Sequence, residues 1–126
     1  MATVRYLVND VDEAVAFYQE ALGFSLRARP APVIAMIERG DLLLWIAGPQ
    51  TSAAKAMPDG SKPEPGGWNR IVIEVEDIES TVAALRSRGT TFRNEPFPGP
   101  GGTQVLIEDP SGNPIEIFQP AENPPG

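Results

Sequence analysis

The sequence predicts an α+β fold built from two βαβββ modules that follow one another along the chain. The main observation is an internal repeat, because VRYLVNDVDEAVAFYQEALGF from Val4 is echoed by IVIEVEDIESTVAALRSRGTTF from Ile71. Each copy opens with alternating apolar residues, the pattern of a half-buried strand, and changes to helical spacing after an aspartate. A repeat of this length indicates two copies of one structural module.

The first module is predicted to span residues 1–47. Its first strand carries Val4, Tyr6 and Val8, and its helix starts after Asp10, which with Glu13 forms a capping-box pattern. Gly23 is the expected stop of the helix. Three more strands are predicted at 25–29, 33–38 and 42–47.

The second module is predicted to span residues 68–119. Ile71, Ile73 and Val75 give its first strand, and a helix runs from Asp77 to Gly89. Further strands are predicted at 91–94, 103–108 and 115–119. Turn residues at 40–41 and 109–113 make the last two strands of each module a hairpin.

Two segments outside the modules have loop composition. Residues 48–67 are rich in Pro, Gly, Ala and Ser, so they predict a linker that is either functional or a plain spacer. Residues 120–126 predict a frayed tail.

Composition limits the class of protein. At 126 residues with 41% hydrophobic residues, the chain suits one domain over 1–126. It has no cysteine, which excludes a disulfide-stapled scaffold, and no histidine. A net charge of -7 disfavours nucleic acids and anionic membranes as partners. With no long apolar run, a soluble cytoplasmic protein is expected.

The repeat, with VNDVDEAVAFYQEALGF near the start and EDPSGNPIEIFQP near the end, resembles the vicinal oxygen chelate superfamily. That superfamily includes glyoxalase I, extradiol dioxygenases, fosfomycin-modifying enzymes and bleomycin resistance proteins. The resemblance implies an open, curved, eight-stranded mixed sheet whose concave side forms a ligand cup, with helices on the convex side. It also implies a homodimer and, in the enzymes, a divalent metal in the cup.

The family's metal ligands come from the first strand and the last strand of each module. Counting back seven residues from Asp10 and from Asp77 gives Thr3 and Arg70, and aligning Gly40 with Gly112 pairs Leu44 with Glu116. Only Glu116 is a suitable metal ligand. Threonine is a poor electron-pair donor, leucine has no donor atom, and arginine is a permanent cation that would repel the metal. The resemblance therefore favours the metal-free, antibiotic-binding type, with no metal and no other cofactor. Glu116 is either paired with Arg70 or a solvated side chain.

Strand alternation assigns side chains to the cup. The predicted lining consists of Arg5, Leu7, Leu42, Leu44, Ile46, Arg70, Val72, Glu74, Glu116 and Phe118. The opposite face, predicted as core, carries Val4, Tyr6, Val8, Leu43, Trp45, Ile115 and Ile117. Trp45 is assigned either to this core or to stacking on a ligand. Trp68 and Phe97 are further candidate ligand contacts, the latter on a mobile loop.

The main functional hypothesis is non-catalytic binding and sequestration of a small aromatic or cationic natural product, in particular an antibiotic, as in self-resistance. The alternative is a glyoxalase-like lyase, dioxygenase or isomerase with an atypical site centred on Glu116. Without histidine, proton transfer in such an enzyme would depend on carboxylates, tyrosine or lysine. An accessory module with an empty cup is a third possibility.

Overall fold

The computed structural model describes residues 2–122, so the last four residues of the predicted tail 120–126 lie outside the described part, whereas Pro120 ends a strand. The chain forms two compact units. Among the described residues, the first contains 2–66 and 110–113, and the second contains 67–109 and 114–122.

The first unit has the predicted βαβββ order. It consists of β1 (Ala2–Leu7), α1 (Val11–Leu22), β2 (Ser25–Ala31), β3 (Ile34–Arg39) and β4 (Leu42–Ala47). The sheet order is β1-β4-β3-β2, with β1 parallel to β4 and the other pairs antiparallel. A mixed sheet results, because the helical crossover makes β1 and β4 run in the same direction.

Both ends of α1 follow from local sequence. The Asp10 carboxylate accepts a hydrogen bond from the Glu13 amide at 3.0 Å, which satisfies one of the unpaired donors of the first turn. Gly23 ends the helix in the left-handed conformation, with φ of 72°. The fully buried Tyr18 then makes edge-to-face contacts with Phe17 and Phe24.

The second unit repeats this plan with one additional strand. It consists of β5 (Ile71–Glu74), α2 (Ile78–Ser87), β6 (Thr91–Phe92), β7 (Phe97–Gly99), β8 (Gly102–Glu108) and β9 (Pro114–Pro120). The sheet order is β5-β9-β8-β6, and β7 also pairs with β8. Asp77 caps α2 by accepting from the amides of Glu79 and Ser80.

The prediction that Phe97 lies on a mobile loop is wrong. Phe97 lies in β7 and pairs with Gln104 of β8. The proline and glycine of this segment argued against a strand. Pro98 is tolerated because β7 is a short edge strand, which pairs with β8 alone among the described strands. The return into β8 requires a glycine at 102, because its φ is 153° and a Cβ would overlap the carbonyl oxygen of Gln119.

Each sheet buries one face beneath its own helix. The buried face of the first sheet carries Tyr6, Ala35, Ile37, Leu44 and Ile46. The buried face of the second carries Ile71, Ile73, Val105, Ile107, Ile115 and Ile117. We call the other side of each sheet its open face, since no helix of the same unit covers it.

The segment between β4 and β5 has little regular structure, as predicted. Its one helical element is a 3-10 turn at Ser52–Ala54. The Ser61 hydroxyl donates to Asp59 at 2.6 Å, and this hydrogen bond, supported by one from the Ser61 amide, lowers the pKa of Asp59 below its ordinary value.

No helix within residues 2–122 is long and apolar enough to cross a membrane.

Candidate ligand-binding faces

The side-chain assignment predicted for β4 is wrong by one residue. The β1–β4 register pairs Val4 with Leu44, Arg5 with Trp45 and Tyr6 with Ile46. Leu44 and Ile46 are fully buried, so they belong to the core and not to a ligand surface. Leu42, two residues before Leu44, shares its side of the strand. Leu43 and Trp45 therefore lie on the open face with Arg5, opposite to their predicted core position.

The error arose from aligning Gly40 with Gly112. In the first hairpin Arg39 pairs with Leu42, which leaves only residues 40 and 41 in the turn. In the second hairpin Glu108 pairs with Pro114, which leaves residues 109–113 in the turn. The two glycines are therefore not equivalent, and a shift of one residue moves every side chain of a strand to the other face.

Strand register gives the correct correspondence between the modules. Arg5 and Val72 are equivalent in the repeat, and they pair with Trp45 and Glu116 respectively. Trp45, not Leu44, is therefore the counterpart of Glu116. The four positions at which the family carries its metal ligands are occupied here by Thr3, Trp45, Arg70 and Glu116.

The predicted pairing of Arg70 with Glu116 is confirmed. Nε and Nη2 of Arg70 donate to Oε1 of Glu116 at 3.1 and 2.9 Å, and Nη1 donates to the carbonyl of Trp68 at 3.3 Å. The Glu116 side chain is only 12% exposed, so its interpretation as a solvated surface group is wrong. The guanidinium neutralises the carboxylate and fixes its direction.

These residues do not fit a divalent metal. An indole N–H is a donor only and offers no lone pair to a metal ion, and a guanidinium repels one. The one carboxylate of the set already binds Arg70. Within residues 2–122, no group of three or more carboxylates, histidines or cysteines could hold a metal.

The open face of the first sheet presents a cation and an aromatic ring in contact. Cζ of Arg5 lies 5.0 Å from the centre of the Trp45 ring. Trp45 is half-buried, and its indole nitrogen is buried without a hydrogen-bond partner among the described residues. Leu7, two residues beyond Arg5, lies on the same face.

A cavity of about 190 Å³ adjoins Leu7 at the carboxyl ends of β1 and β4. Leu7 and Ala47 contribute from the strands, whereas Pro49, Lys62 and Pro65 contribute from the segment that follows β4. The segment predicted as linker or functional loop thus forms a wall of this cavity within the first unit.

The open face of the second sheet carries several of the predicted site residues. The register places Val72 beside Glu116, and Glu74 beside Phe118. Phe97, Gln104 and Phe118 then form one row across β7, β8 and β9. Their role in ligand binding stays a prediction.

Sequence reasoning missed the cluster around Trp68. Cζ of Arg93 lies 4.6 Å from the centre of the Trp68 ring, and Nε of Arg93 donates to Glu108 at 2.8 Å. Nη1 of Arg93 also donates to the carbonyl of Gly67 at 2.8 Å. Trp68 is nevertheless 69% exposed, so the contact with Arg93 holds an aromatic ring at the surface. No local signal links Arg93 to Glu108, because their contact depends on how β6 pairs with β8.

A double-mutant cycle on Arg70→Met and Glu116→Gln should show a coupling of about 1 kcal/mol or more. The reason is that either single change leaves a partly buried charge without its partner. The free energy of unfolding of the two single variants, the double variant and the parent gives this value. Additive effects within error would show that the pair contributes no net coupling.

The fold and these faces define the class of protein. Two βαβββ modules, each with its first strand parallel to its last, are the architecture expected from the resemblance. The family model for the Glyoxalase/Bleomycin resistance protein/Dioxygenase superfamily matches residues 1–117, and the chain belongs to this superfamily.

Individual relatives within the superfamily have different names. The chain is 32% identical over 122 residues to a probable lactoylglutathione lyase of Synechocystis sp., covering 89% of this chain and 88% of that protein. It is 30% identical over 134 residues to a putative lactoylglutathione lyase of Brassica oleracea, covering 96% of this chain but spanning only 44% of that protein's length. Among solved structures, TnmS3, an antibiotic binding protein from Streptomyces sp. CB03234, superposes with a TM-score of 0.72 at 26% identity, over 94% of this chain and 93% of that one.

Proposed function

We propose that this protein binds a small aromatic natural product, an antibiotic in particular, and sequesters it without chemistry and without a metal. The observation that carries the proposal is the residue set at the four positions where the family carries metal ligands. One holds Thr3 and another holds the indole of Trp45. The other two hold Arg70 and Glu116, which bind each other at 2.9 Å. The indole belongs to the first unit and the ion pair to the second, and neither offers a place for a Lewis acid.

The open face of the first sheet supports the same proposal. Sites for small molecules are mostly apolar and aromatic, with a few polar groups that fix orientation. Trp45, Leu7 and Leu43 supply the apolar part, and Arg5 supplies a polar group. The likeness to an antibiotic binding protein at 26% identity agrees with this choice.

The alternative is a lyase, dioxygenase or isomerase centred on Glu116. The names of the lactoylglutathione lyase relatives favour it. Against it, Oε1 of Glu116 already accepts two hydrogen bonds from Arg70, so this oxygen is engaged in an ion pair within the protein. The chain also has no histidine to act as acid or base near neutral pH. The single curved sheet with its cup, the homodimer and the cytoplasmic location stay predictions.

The proposal is tested by titrating the protein with polycyclic, quinone and glycopeptide antibiotics while following tryptophan fluorescence. A planar ligand that stacks near Trp45 should quench it, and Trp45→Phe should alter the signal while largely preserving binding. Trp45→Ala should weaken binding by about 1–3 kcal/mol, as expected for a buried aromatic contact. Trp68→Ala is the matched variant, and it reports whether the exposed indole held by Arg93 takes part. If no compound binds more tightly than about 1 mM, sequestration is untenable.

A further inference from the structure

Arg5 differs from the arginines that bind a carboxylate, and also from Arg39, which donates to the carbonyl of Leu22 at 3.0 Å. Ion pairs within 4.0 Å join Arg27 to Glu38, Arg29 to Asp12, Arg70 to Glu116, Arg86 to Glu95 and Arg93 to Glu108. Within residues 2–122, Arg5 makes no ion pair, although the chain carries 17 carboxylates. Its contact is the Trp45 ring, at 5.0 Å.

The strand register explains why no carboxylate reaches it. Across the open face, the row that contains Arg5 continues with Trp45 on β4 and Met36 on β3. The one carboxylate that β1, β3 and β4 carry on that face is Glu38, in the adjacent row beside Leu43, and it is bound by Arg27 at 3.4 Å. Arg5 therefore keeps its charge uncompensated on an exposed face.

A guanidinium over an indole ring is oriented by the ring and keeps its N–H groups for hydrogen bonding. Those groups form a fork that matches a carboxylate in bidentate geometry. Because Trp45 already holds the Arg5 side chain, less side-chain entropy is lost when an anion binds. The pair thus has the form of a preorganised anion receptor.

The cavity beside Leu7 supplies the second, independent observation. Leu7 follows Arg5 on the same face, about 7 Å further along the strand. The cavity of about 190 Å³ is walled by Pro49, Pro63 and Pro65. Lys62 and Glu64 both line it, so the cavity supplies apolar surface and the charge preference comes from Arg5. Its volume is below the roughly 300–1,000 Å³ of complete drug-sized sites, so it suits one ring of a ligand and not the whole.

We infer that the first unit recognises an aromatic anion, with Arg5 binding its carboxylate or phenolate and the cavity beside Leu7 taking its ring. This inference rests on the proposed function and narrows it. The sequence predicted an aromatic or cationic ligand, whereas Arg5 favours a ligand that is aromatic and anionic. The net charge of -7 does not oppose it, because charges more than about 8 Å away are largely screened at physiological salt.

Three probes that share one ring system and differ in charge test the inference. They are 2-naphthoate, 2-naphthamide and 2-naphthylmethylammonium, and equilibrium dialysis at physiological salt gives each dissociation constant. We expect naphthoate to bind about tenfold more tightly than the amide, and the ammonium to bind most weakly. Equal affinities, or tightest binding of the ammonium, would overturn the inference.

Arg5→Gln should abolish the preference for naphthoate over the amide, and a circular dichroism spectrum like that of the parent shows that the variant is folded. Arg88→Gln is the matched control, because it removes the same charge from an exposed position at the end of α2 and should keep the preference. An equal loss in both variants would show that net charge, and not Arg5, sets the affinity, and would contradict the inference. Binding of none of the three probes to the parent protein would also contradict it, whereas the antibiotic titration decides the proposed function separately.

Discussion

Leu44→Ala is expected to lower the free energy of unfolding by about 2–5 kcal/mol. Leu44 is fully buried, and it pairs with Val4 on one side and with Ile37 on the other. Truncation removes buried apolar surface and leaves a cavity that the surrounding strands cannot close without distortion. Urea unfolding at equilibrium, followed by circular dichroism, measures the change.

Leu43→Ala is the matched control, because it removes the same atoms one residue earlier in the same strand. Leu43 is half-exposed on the open face, so a loss of less than about 1 kcal/mol is expected. The pair of variants measures the β4 register directly. A larger loss for Leu43 than for Leu44 would support the glycine alignment and contradict the correspondence of Trp45 with Glu116.

Asn113→Ala should cost about 2–3 kcal/mol of unfolding free energy, although Asn113 lies in a turn. Its Nδ2 donates to the carbonyl of Leu7 at 2.7 Å, and its Oδ1 accepts from the amide of Gly66 at 2.9 Å. Asn113 is 4% exposed, so its removal leaves a partly buried acceptor and a partly buried donor without these partners. The same urea experiment reports the loss.

Asn69→Ala serves as the control for this change, since Asn69 is an exposed asparagine outside helices and strands. We expect its effect to stay within about 0.5 kcal/mol. Similar small effects for both variants would mean that water replaces the Asn113 amide at little cost, and that these two contacts do not stabilise the first unit.

The parts of the fold that sequence predicted are those specified by short-range signals. Asp10 and Asp77 cap helices through amides two or three residues away, and Gly23 terminates α1 through its own φ. The alternation in β1 and β5 correctly separated Tyr6 and Ile73, which are buried, from Arg5 and Val72, which are exposed. Each of these signals is complete within a few residues of sequence.

The parts that it missed depend on pairing between distant strands. The faces of β4 depended on the length of a turn, which the positions of Gly40 and Gly112 do not reveal. The contact of Arg5 with Trp45 joins residues 40 positions apart, and it depends on the parallel pairing of β1 with β4. The ion pair of Arg70 with Glu116 was therefore predicted, whereas the contact of Trp45 with Arg5 was not.

The central claim is that the protein binds its ligand reversibly, without a metal and without changing it. The most direct measurement is mass analysis of the compound extracted from its complex with protein that has been treated with a chelator and analysed for metals. The account predicts a complex with less than one equivalent of any divalent transition metal, and a compound recovered with its mass unchanged after prolonged incubation. Stoichiometric zinc, nickel, manganese or iron needed for binding, or a compound returned with altered mass and turnover, would contradict it.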